Sequence, residues 1–151
     1  QQAEQERLLE RHFEIAESHR TPVNLHSRRC LRRTLERAVA FHRATGLAAQ
    51  MHWFTESKKL IRICNDEDIF VSAGPTVVGD EQAAAAACEI ADDLLLLESD
   101  APVSVGGRPG HPRRVREIAE KLAVLRGVTL EALAAQLASN LRRYLAGSMT
   151  D

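Results

Sequence analysis

At 151 residues with 44% apolar side chains, the chain can build one domain with a real core, which excludes a disordered polypeptide. Its 20 lysines and arginines against 21 acids leave a net charge of −1, so no global electrostatic footprint for nucleic acid or an anionic membrane exists; local basic patches stay open. Three cysteines, Cys30, Cys64 and Cys88, share no C-x-x-C spacing, which argues against a disulfide framework or a thiolate zinc site and fits a reducing compartment.

Residues 1–19 set Leu8, Leu9, Phe13 and Ile15 in a charged background and predict a first helix. PVNLHS (22–27) follows as a short apolar strand. Residues 29–45 place Leu31, Leu35, Ala38 and His42 at i, i+4, i+7 and i+11, with Gly46 as a C-terminal stop. LAAQMHW (47–53) is the second strand, 57–65 a short helix, and IFVSAGP (69–75) the third strand. Residues 81–91 contain five consecutive alanines, which favour helix, and LLLLES (94–99) is the fourth strand. The Gly- and Pro-rich segment VSVGGRPGHP (103–112) reads as irregular. Two helices close the chain. Val115, Ile118, Leu122 and Leu125 stripe the first, ended by Gly127; Leu130, Leu133, Leu137 and Leu141 stripe the second, with Thr129 as N-cap and Gly147 near its end.

None of the strands shows the alternation of a half-exposed sheet, so the sheet is expected to be covered on both faces. Alternating strands and helices predict right-handed βαβ units and four parallel strands in sequential order. The class is α/β, and two architectures fit: a small open doubly wound sheet, or part of a (β/α)8 barrel, for which four strands amount to half. No apolar run approaches the ~20 residues that span a bilayer, and no signal peptide is visible, so no membrane role and a cytoplasmic location are expected. The first residue is Gln1 rather than methionine, and a natural beginning upstream is expected.

In parallel α/β folds functional groups gather where strands end. His26 closes the first strand, His52 nearly closes the second, and Asp100 follows the fourth. Two residues earlier, on the same side by the period of two, stand Asn24, Gln50 and Glu98, while Leu25 and Met51 point the other way. Two imidazoles and a carboxylate around one mouth suit Zn²⁺ or Mn²⁺. Each residue also has a plainer role: a hydrogen-bonded core histidine, or for Asp100 a loop or helix cap. On the metal reading, Glu98 and Asp100 are both aimed at a cation that offsets their charge.

PVNLHSR, MHWFTES and LLLLESDAP, in that order, resemble three signatures of the TatD-type metal-dependent deoxyribonucleases: a strand ending H-S-R, one running into H-x-F-x-x-S, and one ending E-[ST]-D-A-P. One βα unit separates His26 from His52 and two separate His52 from Asp100, as in the family. HPRRVREIAEKLAVLRGVTLEALAAQLASNLRRYL is similar to the family's closing helix pair, with Asn140 to Tyr144 ending it in the N-x-R-R-[YF] manner.

The resemblance implies that residues 1–151 form the second half, strands five to eight, of a TIM-type (β/α)8 barrel with a divalent metal (Mg, Mn or Zn) that hydrolyses phosphodiesters in DNA. It also implies that His26, His52 and Asp100 are metal ligands, and that Asp100 can orient or deprotonate the attacking water. Arg28 would lie near the mouth, where a guanidinium can pair with a phosphate oxygen, although a solvated first-turn arginine is the plainer reading. The family's H-x-H pair on its first strand and its bridging glutamate on the fourth have no counterpart here. This implies an incomplete site, little activity alone, and a missing N-terminal half or a homodimer as partner. The rival reading is a non-catalytic half-barrel that works by association, through two open strand edges.

The remaining conspicuous residues have plain readings. Arg29, Arg33 and Arg37 read as a solvated outer helix face, the three cysteines as small packing residues, and His12, His19, His42 and His111 as surface or capping groups. Gly106, Gly107 and Gly110 read as a mobile rim of the site.

Overall fold

All four expected strands form and pair, each through its central three or four residues: β1 (Val23–Leu25), β2 (Ala49–Met51), β3 (Phe70–Ala73) and β4 (Leu95–Leu97). The structure, a computed structural model, describes residues 2–55 and 57–146; Gly147, expected near the last helix end, lies outside them. The sheet is wholly parallel in the order β1-β2-β3-β4, as the alternating pattern predicts. The ladders are shorter than the apolar runs because burial, rather than pairing, set those runs. Leu47, Ile69 and Leu94 are buried just outside the paired residues.

Register explains which face became core. Leu25, Met51, Val71 and Leu95 lie side by side across the four strands, and all are buried. They form one core cluster with Leu35, Ala38, Ile61, Ile118 and Leu122, which come from the helices α2 (Leu31–Thr45), α3 (Lys58–Asp66) and α6 (Arg114–Arg126). The row one residue earlier holds Asn24, Gln50 and Phe70, and so carries the polar side chains.

Two helical readings need correction. The alanine helix is α5 (Glu81–Ala87) and stops before residue 91, preceded by a one-turn helix α4 (Thr76–Gly79) that no pattern announced. Asp80 caps its start through Gln82 N and Ala83 N, and Arg126 Nη2 donates to Ala87 O and Ile90 O, both at 2.8 Å. Those carbonyls are satisfied by a guanidinium, so the chain can leave the helix there. Second, Arg33 and Arg37, although partly exposed, are not free on the helix face: they pair with Glu6 and Glu10 of α1 (Gln2–Ser18) across the α1–α2 seam, which also holds a stacked Phe13–Phe41 pair at 4.8 Å.

The closing helices α6 and α7 (Leu130–Leu145) follow their stripes only halfway. Ile118, Leu122 and Leu133 are buried, but Leu125 is 43% and Leu141 48% exposed. Polar and aromatic anchors replace them. Asn140 is buried, donates to Asp92 O at 2.7 Å and Leu95 O at 2.8 Å, and accepts from Gln136 Nε2 at 2.8 Å. Tyr144 packs edge-on to Phe70 at 5.4 Å, and the Arg143 guanidinium lies 4.9 Å above the same ring. Among the described residues no single helix is long and apolar enough to cross a membrane.

Of the cysteines, Cys64 is buried as expected and Cys88 half-buried, but Cys30 is exposed, with Sγ 3.5 Å from both Ser27 Oγ and Thr34 Oγ1. Burial pushes the Cys64 thiol from 9.0 up to about 12 and the Tyr144 phenol from 10.0 up to about 12. Both pKa values rise on folding, so their contribution to stability is complete below the unfolded values and is lost as pH climbs through about 12. Between pH 10 and 12 the pair should remove about 2 kcal/mol per pH unit, since each group contributes less than one full proton across that range. Urea midpoints measured across that range should fall steeply, and a flat profile would contradict the burial of both groups.

Candidate metal centre

The ends of β1 and β2 deliver two imidazoles to one place. His26 follows Leu25 and His52 follows Met51, neighbours in the ladder, so both rings emerge at the same sheet end. Their centroids are 5.4 Å apart at an interplanar angle of 50°. Neither ring points into the helix layer: His26 is exposed, His52 is half-buried, and both line a cleft of about 1040 Å³ with Arg28, Trp53 and Thr76.

β4 supplies the carboxylates, in different roles. Glu98 is held by its neighbours: its Oε2 accepts from His52 Nδ1 at 2.8 Å and from Ser72 Oγ at 2.6 Å, and its Oε1 is buried without a partner. The metal reading aims Glu98 at a cation; the structure engages its Oε2 with His52 and Ser72. Burial pushes the Glu98 carboxyl above its ordinary value, against the lowering pull of Ser72 and His52. Asp100 lies beyond the strand at φ 47, a left-handed backbone, which brings Oδ1 to 3.5 Å from His52 Nε2.

These contacts fix how His52 presents itself. A proton on Nδ1, donated to Glu98, leaves the neutral ring with its Nε2 lone pair facing Asp100. Two acceptors facing each other at 3.5 Å repel unless a proton or a cation lies between them. Bonds of about 2.0–2.2 Å to one zinc ion leave two ligands roughly 3–4 Å apart, which is this spacing. A carboxylate behind the distal imidazole nitrogen is also the usual way a metal-binding histidine is oriented. The donor set therefore fits one cation at the His52–Asp100 pair, with His26 alongside. Among the described residues no three His, Cys, Asp or Glu side chains form a ready-made cage.

Three residues with evident roles were missed: Ser72, Trp53 and Thr76. Ser72 is buried, braces Glu98, and accepts from Trp53 N at 3.1 Å. Its signal was a hydroxyl inside the apolar run IFVSAGP. Trp53 donates Nε1–H to Thr76 Oγ1 at 2.9 Å, and its ring stands 6.5 Å from that of His52. Arg28 sits at the cleft wall beside His26 and Ser27, exposed to solvent. The loop 103–112 is more ordered than its composition suggests. Gly106 and Gly107, at φ 60 and 72, make a tight turn closed by Val105 and Arg108, and Arg108 pairs with Glu117 through two contacts of 2.8 Å. Only Val103 of this loop reaches the cleft.

Comparison with known proteins places this geometry in context. The sequence model of the family described as TatD related DNase matches residues 1–146. The chain is 32% identical over 138 residues to the uncharacterized metal-dependent hydrolase YcfH of Escherichia coli K12, covering 87% of this chain and 52% of that protein. It is 26% identical over 148 residues to the uncharacterized metal-dependent hydrolase YabD of Bacillus subtilis, covering 92% and 56%. The structure superimposes on YJJV, a TatD homologue of Escherichia coli, with a TM-score of 0.83 at 21% identity, covering 95% of this chain and 57% of that one. The chain thus spans about half the length of the relatives it matches.

Proposed function

The chain belongs to the TatD-related DNase family, and from that premise we propose that it carries the strand-five-to-eight half of a divalent-metal-dependent hydrolase acting on phosphodiesters in DNA. The observation that supports this reading most is the Glu98–His52–Asp100 line, an imidazole held from behind with its free nitrogen turned to a carboxylate at 3.5 Å. His52 and Asp100, with His26 beside them, would hold the ion. A divalent ion bound there polarises a phosphoryl oxygen and acidifies water. The other tasks fall to the chain's own groups. Glu98 fixes the His52 tautomer, Asp100 takes the proton of the attacking water, and Arg28 pairs with a phosphate oxygen.

The H-x-H pair and the bridging glutamate implied by the family resemblance are proposed to come from a further segment of about equal length or from another chain. The test is a DNA-cleavage assay with Mn²⁺, Mg²⁺ or Zn²⁺, comparing the 151 residues with a longer form that carries those groups. The shorter chain should show little cleavage and the longer form metal-dependent cleavage that a chelator abolishes. Chelator-resistant cleavage would remove the metal from the reading, and robust cleavage by the 151 residues would overturn the division into halves.

A second reading, an association module built on a half-barrel, draws on the sheet: among the described residues β1 and β4 each pair on one side only. Gel filtration separates the two, since a stable 16.7 kDa monomer argues against an exposed half-barrel that must associate.

A further inference from the structure

We propose that Trp53 is the nucleobase platform of the cleft, so that the site takes nucleotide-bearing phosphodiesters rather than simple phosphate esters. The placement of the reacting phosphate beside His52 rests on the hydrolase reading above; the platform itself rests on the geometry of the indole. Trp53 has φ 48, a conformation that bulky side chains rarely adopt, and three contacts hold it there. Its backbone N–H donates to Ser72 Oγ at 3.1 Å, and its indole N–H donates to Thr76 Oγ1 at 2.9 Å. The ring also lies directly on Gly74, where an added Cβ would come within 2.6 Å of Nε1 and 2.7 Å of Cδ1.

With its polar edge satisfied by Thr76 and its ring backed by Gly74, the indole offers the cleft apolar ring surface. The cleft it lines, about 1040 Å³, is ample for a nucleotide, and its walls include Arg28 and the short side chains Ala83 and Ala86. A phosphate beside His52 would leave its base one sugar away, toward the indole. Stacking on an aromatic face accepts every base, so this contact would not select among DNA sequences.

The chain contains one tryptophan, so its emission reports on this residue alone. Excited at the red edge of indole absorption, the unmodified 151-residue protein should be quenched saturably by thymidine 5′-monophosphate and not by 2-deoxyribose 5-phosphate or inorganic phosphate. By calorimetry, Trp53→Leu should weaken nucleotide binding about ten-fold, with Trp53→Phe between the two, while sugar-phosphate binding stays unchanged. Quenching by the sugar phosphate to the same extent, or none by millimolar nucleotide, would overturn the proposal. Metal-dependent DNA cleavage without nucleotide quenching would leave the hydrolase reading intact and remove this one. Nucleotide quenching of this protein, together with no metal-dependent cleavage by the longer form, would do the reverse.

Discussion

Asp100→Asn, made in the longer, active form, is expected to weaken metal binding and, even at saturating metal, to lower turnover about a hundred-fold or more. The amide keeps an oxygen that can ligate and fits the left-handed backbone at φ 47, which asparagine tolerates as well as aspartate does. It loses the basicity needed to accept a proton. His52→Ala should behave differently. It removes a ligand and leaves Glu98 buried without its imidazole partner, so the metal concentration for half-maximal activity should rise far more than turnover falls. Glu98→Gln can still accept from Nδ1 but lacks the charge, and should weaken metal binding about ten-fold. Metal titrations of cleavage rate for the three variants separate these outcomes. Full activity of Asp100→Asn would remove Asp100 from the chemistry.

The second large effect concerns stability. Asn140→Asp keeps the shape of the side chain but cannot donate to Asp92 O and Leu95 O, and it turns a carboxylate toward both. Leaving two carbonyls without their donor costs about 3 kcal/mol, before any charge repulsion. For a chain of this size that corresponds to a melting temperature lower by about 6–12 °C. Thermal unfolding followed by circular dichroism measures it, and an unchanged midpoint would show that Asn140 does not fasten α7 to the sheet.

The order of strands, their parallel direction and the two histidines at one sheet end were all legible in the sequence, because apolar runs, helix stops and the period of two each act locally. What was not legible depends on partners far away in the chain. Arg33 and Arg37 looked solvated because their acidic partners lie on α1, more than 20 residues upstream. Leu125 and Leu141 looked like core because a helical stripe says nothing about where neighbouring helices end. Asn140, a polar residue among leucines, carries the anchoring that the stripe assigned to them. In the site, alternation put Glu98 on the correct side but could not say that Ser72 and His52 would take up its Oε2. Trp53 was passed over because its position depends on a positive φ and on the bare Cα of Gly74.

Trp53 and Asp100 share that backbone region, and the sharing sets a limit on protein engineering. Glycine relieves a left-handed backbone at no steric cost, and strained non-glycine residues carry on the order of 1–3 kcal/mol each. Directed evolution for heat resistance, run without a selection for catalysis, should therefore favour glycine at positions 53 and 100. Each such gain would dismantle the cleft, so thermostable descendants of this chain ought to be screened for activity at every round rather than at the end.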